Sequence, residues 1–563
     1  MKKLFPLLGL ALLALTACEG GPSDAPSDQP TTGEPAAITE AALEDHIVTL
    51  SSDEFAGRAP SSPGEESTVT YLSDRFAALG LEPGNDGSYS HDVPLVDITA
   101  DPATASIRVG DPSGGEEIEL DYPTDAVVWT TRVVEAAAVE DSEMVFVGYG
   151  IVAPEYGWDD YAGLDVEGKT VVILVNDPGY ATQNPDLFTG NAMTYYGRWT
   201  YKFEEAARQG AAAALVIHQT EPASYGWETV RNSWTGPQFN LRPEDDNMGR
   251  VAIEGWLTEE TTSAIFQQAG LDLPALQAAA LEPDFSAVEM GLTFSSSVQN
   301  TLRTSDSRNV IAVLPGSEAP EEYFFYLAHW DHLGTDEALQ AAGEDGIYNG
   351  AVDNATGTAG LLLLAEAWAA REEPPRRSIV FLAVTAEEQG LLGSKHYGEG
   401  PIFPLSRTVA GLNMDGLNYF GPTHDVVVTG HGMSELDGIM EEVAAAAGRR
   451  VAPDPTPEAG YYYRSDHFEL AKVGVPMIYP NHGIDHVERG VEYGRMRAAE
   501  YRAERYHMPT DEYDETWDLS GAVEDLRLYF SFTEAIVDSD TWPQWNEEAE
   551  FRAAREASLA AGG

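Results

Sequence analysis

The chain has 563 residues, 93 of them acidic and 32 basic, for a formal net charge of −61. That length accommodates two to four domains. A chain without basic patches does not suit the phosphate backbone, which excludes nucleic acid as a partner. The acids run along the whole sequence rather than in one tail. This suits a salt-adapted extracytoplasmic protein kept soluble by its charge, or a composition bias of its lineage.

The chain opens with Met1-Lys2-Lys3, the apolar run LFPLLGLALLALTA and then Cys18. A basic start, a short apolar core and small residues before a cut form an export signal. The run is too short to span a bilayer comfortably. Leu15-Thr16-Ala17-Cys18 resembles the bacterial lipobox. That resemblance implies a signal peptide over 1–17, lipidation at Cys18, and membrane attachment through an N-terminal lipid anchor. The protein is then exported and held in the cell envelope, at a periplasmic or outer-membrane face. Cys18 is the one cysteine in the sequence, so no disulfide forms within the chain, and a chain this long does not need one. Residues 18–37, rich in Gly, Pro, Ser and Asp, read as a disordered tether.

Two amphipathic patterns follow. Leu43, Ile47 and Leu50 repeat at helical spacing, as do Val69, Leu72, Phe76 and Leu79, and Gly80 ends the second run. The intervening DEFAGRAPSSPGEE reads as a surface loop; the functional alternative puts Arg58 or Glu65 at the rim of a site. Over 94–271 the texture turns to strands and turns without a metal-type cluster. This leaves 38–93 with 272–540 as one body, and 541–563 as an Ala-rich helical tail that Trp542 and Trp545 pack onto it.

The chemistry concentrates in Glu322 to Asp415. Tyr323–Ala328, Ser378–Thr385 and Thr408–Met414 are short apolar runs that suit strands buried on both faces. Helical patterns separate them, which predicts an α/β domain. In such sheets functional groups gather beyond the carboxyl ends of the strands, where His329, Asp331, Asp353, Glu387, Glu388 and Asp415 all fall. Zinc takes imidazole nitrogen and carboxylate oxygen, and a carboxylate can bridge two ions. Asp353, in a loop leading into the helix 358–370, is the natural bridge; His329 and Asp415 complete one shell, and Glu388 with a distant histidine the other. Asp331, two residues beyond His329, can orient that imidazole. Glu387 and Glu388 diverge if the segment is extended, which leaves Glu387 free as general base. The distant histidine has four candidates: His467, His482, His486 and His507.

AHWDHLG, NGAVDNATGTAG, AVTAEEQGLLGS and NMDG resemble the di-zinc aminopeptidase family of co-catalytic zinc exopeptidases, in that family's order over roughly 307–517. The resemblance implies a mixed, mostly parallel sheet sandwiched by helices, two zinc ions and peptide substrates. It implies His329, Asp353 and Asp415 on one zinc, and Asp353, Glu388 and a C-terminal histidine on the other. Glu387 is then the general base and Asp331 the acid that orients His329. RYHMPTDEYDE resembles the segment carrying the last ligand, which selects His507, with Asp511 as its support. YYYRSDHFELAKVGVP resembles the pocket segment, which assigns Tyr462, Tyr463, Asp466 and His467 to the substrate pocket; one of the three tyrosines is a candidate oxyanion donor. The 94–271 segment resembles the protease-associated domain, a β-rich insert that narrows access. His482 and His486 sit in a connection longer than the family's. Rivals on the same fold are a glutamate-type carboxypeptidase, with Arg464 as its carboxylate candidate, and a glutaminyl cyclase; a non-catalytic receptor is the rival from another class.

Overall fold

The structure, a computed structural model, describes residues 36–562. Cys18, the export signal and most of the tether lie outside them. Among the described residues no helix is long and apolar enough to cross a membrane.

The main body is a mixed, largely parallel sheet with helices on both faces. Its centre is four parallel strands in the order Arg377–Val384, Ala319–His329, Thr408–Asn413 and Met477–His482. Antiparallel neighbours close both sides, Val288–Leu314 against the first and Asp425–Thr429 against the last. The strand Ala319–His329 shows why its sequence is apolar almost without interruption. Phe324, Tyr326 and Ala328 face one core, while Phe325 and Leu327 face another. A strand buried on both faces cannot alternate with polar residues.

The helix Gly357–Ala369 packs on this sheet with eleven of its thirteen residues buried. It is apolar on all sides because the helices Glu40–Leu50, Pro63–Ala78 and Ser520–Val537 enclose it. The tail forms the helix Arg552–Ala561 and is docked. Trp545 is buried and donates to the Gly474 carbonyl at 3.0 Å.

The inserted unit has its own sheet. Ala136–Phe146, Thr170–Leu174, Ala213–Ile217 and Ile253–Leu257 run parallel in that order. One strand serves both sheets: Val288–Gln299 pairs with the insert strands, and Asn300–Leu314 with the body. The handover therefore falls near residue 300 and not at 271. Ser90–Ala100, which straddles the expected start at 94, and Pro237–Leu241, within the expected insert, pair within the body's sheet. A 27-residue strand crossing two sheets leaves no turn signal at the boundary, so composition places it too early.

Candidate metal centre

Three strand ends, the loop before a helix and a downstream loop build the site. His329 is the last residue of its strand, Asp415 follows Asn413, and Glu387 and Glu388 follow Val384. Asp353 precedes the helix Gly357–Ala369, and the Asp353–Asn354 peptide is cis. Asp353 divides its carboxylate between two histidines. Its Oδ1 lies 3.3 Å from His329 Nε2, and its Oδ2 lies 3.3 Å from His507 Nε2. Asp415 Oδ1 is also 3.3 Å from His329 Nε2, and Glu388 Oε2 is 3.0 Å from His507 Nε2. The five ligand candidates thus come together as two sets sharing Asp353.

These spacings test the fit of a metal. Zinc bonds of about 2.0–2.1 Å in a tetrahedron put neighbouring ligand atoms about 3.3–3.4 Å apart. Three of the four spacings are 3.3 Å and the fourth is 3.0 Å, so the donor set fits zinc in both distance and chemistry. The charge balance agrees. Five carboxylates, those of Asp331, Asp353, Glu387, Glu388 and Asp415, surround this cluster. Burial alone would depress the His329 pKa, yet Glu387, Asp415 and Asp353 raise it well above its ordinary value. His507 behaves likewise: burial opposes its charge, and Asp353 and Glu388 lift it to about 10. The carboxylates that raise both values are the ones that would balance the charge of a metal cation held there.

The shell that holds these ligands differs from the expected one in several places. His329 Nδ1 is 3.1 Å from the Asp331 backbone carbonyl and 3.9 Å from its Oδ1. Asp331 therefore orients the imidazole through its main chain, while its carboxylate accepts from Glu387 N–H at 3.1 Å. The segment at Glu387 is not extended: Ala386, just before it, has φ 54° in the left-handed region. Burial pushes the Glu387 pKa up, and after the opposing pull of His329, Glu388 and Asp415 push it further.

His507 also sits in the left-handed region, at φ 58°, a conformation that gathers at functional sites. Asp511 does not contact it. Its two oxygens accept from the backbone N–H groups of Val352 and Asp353, both at 3.1 Å, and from the Tyr501 hydroxyl at 3.2 Å. Asp511 thus fixes the bridging residue. Asn354 ties the same loop to its neighbours, donating to the carbonyls of His329 and Met414 and accepting from Gly416 N–H. Gly350 is required here: at φ 53°, an added Cβ would lie 2.3 Å from the Asp353 carbonyl oxygen and 2.5 Å from the His332 ring.

One residue of the shell escaped the sequence reading, and another lies deeper than the loop or rim expected of it. His332 is fully buried and its Nδ1 lies 2.6 Å from Glu388 Oε1. That is hydrogen-bond length, so His332 steadies Glu388, and His332, Asp353 and Glu388 also come close enough together to share an ion. The second histidine of His-Trp-Asp-His was its only signal. Arg58, expected in a surface loop or at a rim, is 1% exposed. Its guanidinium donates to four carbonyls, those of Trp330 at 2.9 Å, Leu50 at 2.7 Å, Asn349 at 2.6 Å and Gly350 at 2.8 Å. It clamps the loop after His329 to the loop before Asp353. Burial lowers its pKa to about 10, against the pull of Asp353 and Asp511. Glu65 is also buried and accepts from Ser307 and Arg308.

The pocket segment also differs. Asp353, Glu387 and Asp415 line a cavity of about 300 Å³, whose wall includes Tyr419, Tyr461, Tyr479, Tyr501 and Tyr506. Tyr462 and Tyr463 do not line it. They turn to a neighbouring cavity between the insert and the tail, and the Tyr463 hydroxyl donates to Glu550 at 2.6 Å. Asp466 and His467 are fully buried behind the wall, where Asp466 accepts from Ser394 at 2.7 Å and the His467 ring lies 4.6 Å from that of Tyr479. Their short helix His467–Lys472 points them into the body. Ser465 of that segment donates to Asp415 Oδ2 at 2.7 Å, and Tyr461 and Arg464 of the same segment line the cavity. Of the other histidines, His482 lines the cavity, whereas His486 accepts the N–H groups of Glu488 and Arg489. The long connection after His482 forms the helix Gly490–Glu504, which supplies Ala498, Tyr501 and Arg502 to the wall.

A family model matches the stretch that holds this site. Residues 309–531 match the model of Peptidase family M28. Aminopeptidase NAALADL1 of Mus musculus is 32% identical over 165 residues, 28% of this chain and 20% of that protein. A glutamate carboxypeptidase 2 homolog of Caenorhabditis elegans is 31% identical over 207 residues, 35% of this chain and 24% of that one. The chain thus spans between a fifth and a quarter of the length of these relatives. Superposition on the aminopeptidase from Aneurinibacillus sp. strain AM-1 gives a TM-score of 0.47 at 18% identity, covering 91% of this chain and 98% of the other. In residues 309–531, the stretch that holds every clustered acid and histidine, the chain is similar to the peptidases of family M28.

Proposed function

We propose that this protein is a zinc exopeptidase, an aminopeptidase that removes N-terminal residues from peptides at a site for two ions. The observation that carries the reading is Asp353, with each oxygen turned to a different histidine–carboxylate pair beside a cavity. Zinc held there supplies Lewis acidity that polarises a carbonyl and acidifies water. His329, Asp353 and Asp415 hold one ion, and Asp353, Glu388 and His507 the other. Glu387 takes the proton of the attacking water on a carboxylate oxygen and delivers it to the nitrogen of the leaving amine. Its raised pKa suits a group that must accept and return a proton near neutral pH.

The insert narrows the entrance. It reaches the body through Met193 N–H to the Pro457 carbonyl at 3.1 Å and Glu204 to Lys472 at 3.2 Å, and the resemblance of its sequence to the protease-associated domain supports this role. The N-terminal sequence supports a lipoprotein anchored at Cys18 in the cell envelope.

The test is a panel of aminoacyl p-nitroanilides with the zinc-loaded protein, the chelated protein and Glu387→Gln. Hydrolysis that a chelator stops and zinc restores is expected, with Glu387→Gln keeping its metal and losing turnover by ~10²-fold or more. Activity indifferent to the chelator, or an active Glu387→Gln, refutes the reading. N-terminally blocked peptides separate an aminopeptidase, which does not cleave them, from a carboxypeptidase.

A further inference from the structure

A second cavity lies beside the first, and neither the ligand set nor the proton transfer uses it. It holds about 600 Å³ between three parts of the chain. The insert contributes Tyr156 and Met193, the body Thr429 and Tyr461, and the tail Glu547 and Ala549. Ligand sites fall in this size range and favour such junctions between units.

The three walls are fastened to one another. Met193 N–H donates to the Pro457 carbonyl at 3.1 Å and the Asn191 side chain to Glu458 at 3.1 Å, tying insert to body. Asn546 donates its N–H to the Met433 carbonyl at 2.9 Å and its side-chain amide to the Gly432 carbonyl at 2.7 Å, tying tail to body. Glu550 of the tail accepts from Tyr463 at 2.6 Å and from Tyr195 N–H of the insert at 3.1 Å. A gap this large between walls so held is a built feature and not slack packing. It also borders the metal centre's own cavity, since Thr429, Asp454 and Tyr461 line both. A peptide cleaved beside Asp353 and Glu387 has this second space next to it.

The lining decides what chemistry fits. Tyr156, Tyr461, Tyr462 and Tyr463 supply aromatic rings, and Asp454, Glu547, Glu548 and Glu550 supply carboxylates. Among the described residues that line it there is no lysine or arginine. His431 is paired with Glu441 at 3.1 Å. Two of the acids are engaged, Glu550 as above and Asp454 with Thr456 N–H at 2.8 Å. Glu547 and Glu548 are exposed, and among the described residues neither has a hydrogen bond or an ion pair. Acids alone mark nothing in a chain of net charge −61. Set among tyrosine rings in a built cavity, they suit a cation, which gains from carboxylate and ring face together.

We propose that the second cavity is a distal subsite for the part of the peptide beyond the scissile bond, and that it receives a lysine or arginine side chain there. The enzyme then favours oligopeptides with a basic residue downstream of the one it removes. The inference rests on the aminopeptidase reading of the metal centre and adds the length and charge of the substrate.

Leu-Ala-Lys-amide, Leu-Ala-Ala-Lys-amide and Leu-Ala-Ala-Ala-Lys-amide, each beside its glutamine counterpart, test it on the zinc-loaded protein, with Leu-p-nitroanilide as the short control. At one or more lengths the lysine peptide should exceed the glutamine peptide by ~5-fold or more in kcat/KM. General attraction to an acidic protein also favours lysine, so two variants carry the decision. Glu547→Gln/Glu548→Gln removes two of 93 acids and leaves the overall field nearly unchanged, yet should bring that ratio to ~2 or below. Ala192→Trp fills the cavity from the insert side. It should lower kcat/KM for the preferred lysine peptide ~5-fold or more while Leu-p-nitroanilide is cleaved as before. A ratio near one in the unmodified enzyme, or a lysine preference that either variant leaves intact, overturns the proposal; hydrolysis of Leu-p-nitroanilide keeps the exopeptidase reading standing. Should nothing be turned over, calorimetric binding of Leu-Ala-Ala-Ala-Lys-amide decides separately. Binding weakened ~5-fold or more by Glu547→Gln/Glu548→Gln upholds the subsite, and equal binding overturns it.

Discussion

Replacing Arg58 with Met should loosen the metal centre from behind, although Arg58 touches no ligand side chain. Methionine keeps the apolar stem but removes every donor. The carbonyls of Leu50, Trp330 and Asn349 then lose their partner inside the protein, while that of Gly350 keeps the Ala355 N–H. Each buried carbonyl left unpaired costs ~1–3 kcal/mol, so three cost at least ~3 kcal/mol. An unfolding entropy of roughly 2.1 cal/mol/K per residue, over about 500 residues, amounts to about 1 kcal/mol/K and converts this into a Tm lower by about 3 °C. The clamped segments are the one after His329 and the one before Asp353, so zinc affinity should fall with stability, by ~10–100-fold as for other groups that orient metal ligands. Calorimetric melting of the metal-free protein and zinc titration against a chromogenic chelator measure the two effects. Arg58→Lys should restore part of each, because one ammonium cannot span four carbonyls. A melting temperature within about 1 °C of the unmodified protein, together with unchanged zinc affinity, would refute the clamp.

The remaining predictions concern the second ligand set and the tail. His507→Ala should bind one fewer zinc per chain by metal analysis, whereas His332→Ala should keep the full count with ~10-fold or weaker affinity; the reverse pattern would exchange their roles. Glu550 links the tail to Tyr463 and to the Tyr195 N–H of the insert, and burial raises its pKa to about 8 from 4.5. The folded protein therefore holds a proton there that the unfolded chain releases above about 4.5. This contribution favours folding at low pH and is lost as pH rises from about 4.5 to about 8. Glu550→Gln should flatten that part of the stability profile and melt higher than the unmodified protein at pH 8 relative to pH 5; a profile of unchanged slope would contradict the assignment.

How much was legible beforehand depended on how local the cause was. The strands of the central sheet could be placed because burial on both faces leaves uninterrupted apolar runs, and the core positions of Phe324 to Ala328 follow from that alone. Acids and a histidine immediately after such runs marked His329, Glu388 and Asp415, since a parallel sheet sends its strand ends to one edge. Tyr462, Tyr463, Asp466 and His467 were assigned to the pocket because their segment resembles the family's pocket segment, while the cavity is lined by Tyr461 and Arg464 of that segment. A one-residue step around a short helix turns a side chain by about 100°, so neighbours of a site residue face elsewhere. Arg58 looked like a loop residue because Gly, Pro and Ser surround it; its burial arises from carbonyls more than 270 positions away as well as from Leu50.

By itself the sequence determined the α/β class, the chemistry of the ligand types and the strand ends that carry them, because hydrophobic pattern and donor identity are properties of short segments. Only the tertiary structure decided which oxygen of Asp353 faces which histidine, that Asp511 serves Asp353 and not His507, and that Asp454 and Tyr461 border two cavities. Distances of 3.0–3.3 Å among ligands depend on the packing of a sheet, a helix and a downstream loop against one another. No local pattern encodes such a spacing, since it is fixed by contacts between residues far apart in the chain.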